Sequence, residues 1–462
     1  MISAATIAAI RFGYGLSADQ PPPQDAAALM ADLVGEDRAT VRFPVTPFAE
    51  TLTEAQDYLD KQRASRGVKA SGKAPDPAVV AALKQAKRDL TERYQRGAAI
   101  TLARAVAAPV GFRERLVWFW ADHFTVRSKT TAQVMGPLSY VDDAIRPHVA
   151  GRFGDLLVAA ALHPVMLVYL DQIGSFGPNS PYALRHNRGL NENLAREILE
   201  LHTLGVDGSY SQDDVRSFAK LLTGLTFSLE TGFQFRPGMA EPGAEGMLGK
   251  SYGSDRPATL DDIKAALHDI ALHPDTAHHI ARKLAVHFVA DEPDLSLVAA
   301  MEQAYADSGG DLSAVYAAML DHPAAWEPTL RKVRQPMDFI ATALRALAVP
   351  PHRLMALPPK QVKAQLIDPL QLMGQPFQQP TGPNGWPEEA EAWITPSALA
   401  ARIQWAMTAP SRLEAELPDP RQMVAAALGD AAGPDLVLAA ERAESIPEGI
   451  GIILASPEFN RR

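Results

Sequence analysis

The chain has 462 residues, 47% of them hydrophobic and 21% charged, which is enough apolar material for a large core and for two or three domains. A net charge of -10 argues against a general electrostatic affinity for nucleic acid or anionic membrane, because both need clustered Lys and Arg. With no cysteine, disulfides, thiolate metal ligands, Cys nucleophiles and iron–sulfur clusters are excluded together.

The N-terminal MISAATIAAIRFGYGLSADQPPP carries no positive charge ahead of its apolar run, which stops at Arg11. No signal peptide is expected from it. No later stretch offers the roughly 18 uninterrupted apolar residues of a spanning helix. The expectation is a soluble chain without a membrane span, cytoplasmic by default, with export alongside a partner left open.

Residues 51–66 and 77–108 are Ala-rich, charged and helically periodic on either side of the polar breaker GVKASGKAPD, which predicts a helical hairpin with a solvated charged face. GFRERLVWFWADHF at 111–124 places Phe112, Leu116, Phe119, Trp120 and His123 in one narrow arc, at about 100° per residue. An apolar helix over 147–171 follows. The turn-rich GSFGPNSPYALRHNRG comes next, with His186 flanked by Arg185 and Arg188. That loop is either an anion-binding element or ordinary solvent-facing chain.

NENLAREILELHTLG at 191–205 reads as one helix, and VDGSYSQDDVRSFAKLLTG gives another, with Ser211 as N-cap and Gly224 as stop. TFSLETGFQF at 226–235 alternates apolar and polar residues about a short Gly-containing break, which predicts a small hairpin. Helices are expected over 261–289, 294–307, 311–320 and 334–348. The Pro- and Gln-rich GQPFQQPTGPNGWPEE at 374–389 then interrupts the pattern before the last helices.

One device recurs at irregular intervals: AALHPVM, IALHPDT, MLDHPAA and ILASPEF each end an apolar helix just before a proline that suits the first position of the next. His163, His273 and His322 of these pairs are expected to serve the junctions rather than chemistry. The fold class is therefore mainly α, a large multi-helix domain with one small β-hairpin near 226–235. Three regions are expected: an N-terminal helical region with the hairpin over 1–110, a central helical core over 111–348, and a C-terminal helical region over 349–462 carrying the loop 374–389.

Familiar catalytic motifs are absent: there is no HExxH, GxSxG or GxGxxG. GAEGMLGKS at 243–251 resembles a phosphate-binding loop but has five residues where the motif needs four, and no buried strand precedes it. The helix at 191–205 is the stronger candidate. Projection puts Glu192, Asn193, Arg196, Glu197 and Glu200 on one polar face, Leu190, Leu194, Ile198 and Leu201 on an apolar stripe, and His202 nearly opposite Asn193. Exposed, that face is two i,i+4 ion pairs; buried, its paired carboxylates could serve as acid and base or as metal ligands. His279, Lys283 and His287 fall one turn apart, a pattern suited to a basic helix face. Trp386, among neutral amides in the Pro/Gln-rich segment, belongs to a rigid structural loop or to one that holds a sugar or peptide.

Taken together, FGYG, WFWADHF, NENLAREILELHTLGVDGSYSQDDV with AKLLTGLTF, RKLAVHF, GQPFQQPTGPNGWP and the terminal SPEF resemble the bacterial family known as domain of unknown function 1800. The resemblance spans most of the chain. It implies a predominantly helical bacterial protein with no established activity, and a possible partner from a second uncharacterised family, domain of unknown function 1501. The motif carries over to Asn191, Glu192, Asn193, Arg196, Glu197, Glu200, His202, Tyr210 and Asp214, and to Trp120, His123 and Phe124. Where relatives look like His-Glu-Pro-Gly, this chain reads Ala240, Glu241, Pro242, Gly243. If that histidine acts in relatives, this chain lacks it.

Two functions follow as expectations. One is a metal-assisted or hydrolytic enzyme, with His123, Arg196, Glu197, Glu200 and His202 as catalytic residues and Glu192, Asn193, His186 and Trp386 as ligand-binding ones. The sequence names no cofactor for it, although a divalent metal is compatible with carboxylates and histidines. The other is a helical binding or assembly protein that docks a partner through the Trp386 loop.

Overall fold

The computed structural model describes residues 2–70, 76–134 and 136–462, with side chains left aside at 67–70. It is mainly α-helical, with two small antiparallel two-stranded sheets. The N-terminal helical pair runs Phe48–Ala70 and Pro77–Ala107, so the first helix continues into the polar breaker, whose residues 71–75 lie outside the described ones.

Helix starts follow local chemistry. Asp76 accepts from the Ala78 N–H ahead of Pro77, and Ser211 and Asp214 cap each other reciprocally, as do Thr259 and Asp262. The histidines of the His-Pro junctions do the same work. Nδ1 of His163, His273 and His322 accepts from the backbone N–H two residues on, at 3.2, 3.2 and 3.3 Å, with proline at the first helical position each time. Ser456 caps the fourth junction by accepting from Phe459 N–H. An imidazole can take this role because its neutral form offers one acceptor nitrogen.

The expected hairpin pairs Leu225–Ser228 with Gly232–Phe235. A second hairpin, Glu245–Met247 with Lys250–Tyr252, occupies the stretch that imitates a phosphate-binding loop. Leu248 and Gly249 form its two-residue turn, both at positive φ (50° and 75°), which explains the glycine without a phosphate. Asp214 accepts from the Leu248 N–H and fastens this turn to the preceding helix.

Two large hydrophobic cores dominate. The first gathers Phe12, Phe112, Leu116, Trp120, Phe153 and Phe288, with Trp120 donating to the Tyr316 hydroxyl at 2.6 Å. The second packs residues 98–106 against helix Pro336–Ala346 and the helices after 405. Helix Phe112–His123 lies between them. Its aromatic arc faces the first core, while Trp118 packs on the second. Long-range contacts then lock the ends: the Arg11 guanidinium donates to the carbonyls of Ala325, Glu327 and Thr329, and Lys332 and Arg462 exchange backbone hydrogen bonds. Among the described residues no helix is long and apolar enough to cross a membrane.

Candidate functional site

The helix of residues 191–205 begins at Asn193 and changes pitch halfway. Asn193–Glu197 is α-helical and Ile198–His202 is a π-helical turn. Its polar face stays near solvent. Arg196 bridges Glu192 and Glu200 at 3.3 and 2.9 Å, its side chain is 36% exposed, and Glu192 reaches on to Gln212 and Arg216. Asn193 is exposed, and Glu197 is half-buried, with burial pushing its carboxyl upward. His186 is exposed and rests on the Tyr182 ring, 4.3 Å between centroids.

The two histidines of the expected site do come together, but away from that face. The His123 and His202 rings are 5.8 Å apart, and His279 is 6.4 Å from His123. His123 Nε2 contacts the His202 carbonyl at 3.0 Å, while His123 Nδ1 and both ring nitrogens of His202 are buried without a hydrogen-bond partner. Burial holds His123 well below the usual range, and His202 and His279 down at about 3 and 4. All three are neutral at pH 7. No hydrogen bond or ion pair joins His123 or His202 to Glu197 or Glu200 among the described residues. Nor do three or more His, Asp or Glu side chains there gather as a metal site.

The converged polar site lies instead on a neighbouring stripe of helix Phe112–His123. Arg115, Trp118 and Asp122 recur at i, i+3 and i+7, and all three line a cavity of about 90 Å³ at the junction of the cores. Tyr14 of FGYG, Gln335, Asp338, Gln375, Gln378, Trp386, His287 and Arg462 also line it, beside apolar groups such as Val126, Pro137 and Phe377. Trp118, Gln378 and Trp386 are half-exposed and form its outer side.

Both oxygens of Asp122 accept from the Trp386 N–H, at 3.0 and 3.1 Å. The loop closes tightly on this carboxyl: Gly385 sits at φ +76°, and a Cβ there would stand 2.7 Å from Asp122 Oδ1. Burial raises Asp122 to about 7. Half-buried Lys283 lies within electrostatic reach of Asp122, Glu388 and the three histidines, and burial pulls its own pKa down. Helix Pro274–Phe288 thus turns Lys283 and His287, which the sequence places on a basic helix face, into the junction.

Around the cavity runs a buried ionic network. Asp338 pairs with Arg115 at 2.6 Å, Arg462 at 3.1 Å and Arg334 at 3.8 Å. Burial pushes its carboxyl up, but the three guanidiniums bring it down to about 2. Glu388 meets His287 Nδ1 at 2.5 Å and Lys332 at 3.1 Å, and these partners outweigh burial to keep it well below the carboxylate range. Burial lowers His287 to about 4, so its Nδ1–H donates to Glu388 and its Nε2 faces Arg115 Nη2 at 3.4 Å as acceptor. Gln375 is spent structurally, accepting from Met337 N–H and donating to Gln335. Ala240, at the departure from the family pattern, is buried, and neighbouring Glu241 is held by Asn179 at 2.6 and 2.9 Å.

Of the candidates named from sequence, only Trp386 reaches this cavity. Asp122, Arg115, Asp338, Glu388 and Arg462 were missed. The available signal was the second stripe of the WFWADHF helix, whose polar members repeat with helical spacing behind the aromatic arc.

The fold and the site define a mainly helical protein with an ionic cavity between two cores. The family described as Protein of unknown function (DUF1800) matches residues 7–461, and the chain belongs to that family. No curated protein and no solved structure matches the chain.

Proposed function

We propose that the cavity at the core junction is an active site in which Asp122 transfers a proton to or from a small bound molecule. The observation that supports this reading is the setting of Asp122: a carboxyl on the cavity wall, fixed by the Trp386 amide, with lone pairs left for a ligand. Its pKa near 7 lets the same group give or accept a proton at neutral pH. Trp118 and Trp386 offer apolar surface, and Gln378 is an uncharged hydrogen-bonding group at the outer wall. Gln378 holds φ at 51°, a conformation that costs a non-glycine residue about 1 kcal/mol or more and concentrates at functional sites. A hydrolytic reaction is one chemistry such a group serves. The glutamate face of 192–200 is a surface network in this reading and takes no chemical part.

The test is a carbon-13 NMR titration of the aspartate carboxyls, compared between the wild type and Asp122→Asn. One carboxyl titrating near pH 7 is expected in the wild type and absent from the variant. A small-molecule screen by thermal shift supplies ligands whose turnover should be lost in Asp122→Asn while binding persists. An Asp122 that titrates below about pH 5, or turnover indifferent to the substitution, overturns the reading.

A second reading, docking of a partner protein, is favoured by one observation. Leu399, Ile403 and Met407 recur at i, i+4 and i+8 on helix Pro396–Thr408 and are 38%, 50% and 40% exposed. Binding of a purified domain of unknown function 1501 protein should be lost in Ile403→Asp and kept in Asp122→Asn. No binding by the wild type sinks this reading.

A further inference from the structure

We infer that the ligand of the junction cavity carries an oxyanion, a carboxylate or a phosphate, which the Arg462 guanidinium receives beside Arg115. The inference rests on the cavity being the ligand site and adds the class of molecule it takes.

Three guanidiniums converge on the single carboxylate of Asp338. Arg334 has other acceptors, the Phe459 carbonyl at 2.9 Å and the Thr342 hydroxyl at 3.2 Å. Arg115 divides its terminal nitrogens between Asp338 and His287. Arg462 is the one left over. It is 1% exposed; its Nε and Nη1 are buried without a hydrogen-bond partner, as are both oxygens of Asp338 beside it, and its hold on that carboxylate is the 3.1 Å ion pair from Nε. Two carboxylate oxygens shared by three guanidiniums leave N–H groups over, and because buried donors in native proteins are almost always satisfied, the guanidinium on the cavity wall marks where a further acceptor fits.

Charge then selects the acceptor. The other nearby carboxylate, Glu388, is already committed to His287 and Lys332. Around Asp338 three cationic side chains therefore face one anionic one, and burial with the Arg115 charge pulls Arg462 down to about 9. A neutral ligand would leave that crowding unrelieved. An oxyanion relieves it and matches the planar fork of a guanidinium, which offers two parallel N–H donors to two oxygens. The cavity's volume of about 90 Å³ admits a small anionic group while the rest of a larger ligand extends past Gln378 and Trp386.

The experiment titrates the purified protein with inorganic phosphate and, separately, with acetate at constant ionic strength, following melting temperature and the guanidinium nitrogen-15 signals of Arg462. Saturable stabilisation by at least one anion, with a shift of the Arg462 signals, is expected, and the two titrations separate phosphate from carboxylate preference. Arg462→Gln should weaken binding by about tenfold or more, and Arg462→Lys by less. Asp122→Asn should keep anion binding, so failure of the proton-transfer reading is distinguishable from failure of this one. Neither anion stabilising the wild type, anion binding that leaves the Arg462 signals unmoved, or Arg462→Gln binding as tightly as the wild type would each overturn the inference. The wild-type signals decide even if the variant does not fold.

Discussion

The face carried by Glu192, Arg196 and Glu200 and the centre carried by Arg115, Asp338 and Glu388 use the same side chains and differ in their relation to water. On the face, each group keeps hydration and gains a partner four residues away. At the centre, most hydration is gone, and the charges depend largely on partners far away in sequence. Losing one member should therefore cost little in the first place and much in the second, because an exposed ion returns to water and a buried one cannot.

The largest effect is expected from Asp338→Asn, which leaves three buried guanidiniums without their shared carboxylate. A loss of about 3–5 kcal/mol in urea unfolding is expected. A loss under about 1 kcal/mol would show that the centre is hydrated and would dissolve the contrast.

Acid should act on the interior next. Free histidine titrates near 6.5, and burial depresses His202, His279 and His287 to about 3, 4 and 4 and His123 well below its usual range. A group depressed in this way favours folding fully above pH 6.5, and its contribution falls as pH drops toward the folded value, because the unfolded chain takes up the proton first. Asp122, raised to about 7, runs the other way and partly offsets them. Four groups against one give a net loss of roughly 4–5 kcal/mol between pH 7 and pH 5. Urea midpoints at the two values check it, and a midpoint that rises on acidification contradicts it.

Asp122→Asn itself should change stability by only about 1 kcal/mol, since an amide oxygen can still accept from the Trp386 N–H. Smallest of all, Arg196→Ala should cost about 0.3–0.5 kcal/mol per lost pair, an effect that vanishes in high salt. A cost above about 1 kcal/mol would make that face more than a solvated ladder.

Local features were legible because their causes are local. The aromatic arc of 112–123, the hairpin at 225–235, the Ser211 cap, the His-Pro junctions and the Glu192–Arg196–Glu200 ladder all follow from residues within a turn or two of one another. The pitch change at Ile198 was not legible, since a π-helical turn leaves no periodic mark over five residues. The spacing of GAEGMLGKS rules out a phosphate loop, but strands of three residues each are too short to mark the hairpin it forms. The cavity was the least readable part. Asp122 and Trp386 face each other because two cores meet, and no spacing within either segment encodes that meeting.

The pairing of Arg115 with Asp338, and of Asp338 with Arg462, also sets an order of assembly on the ribosome. Synthesis proceeds at about 5–20 residues per second, so roughly 10–45 s pass between the making of Arg115 and of Asp338. Throughout that interval the nascent chain can close its aromatic core, but the arginine on the far side of the same helix has no counterion and must stay wet. The seam between the halves is then late to dry, and the cavity exists only once Asp338, Trp386 and Arg462 have docked.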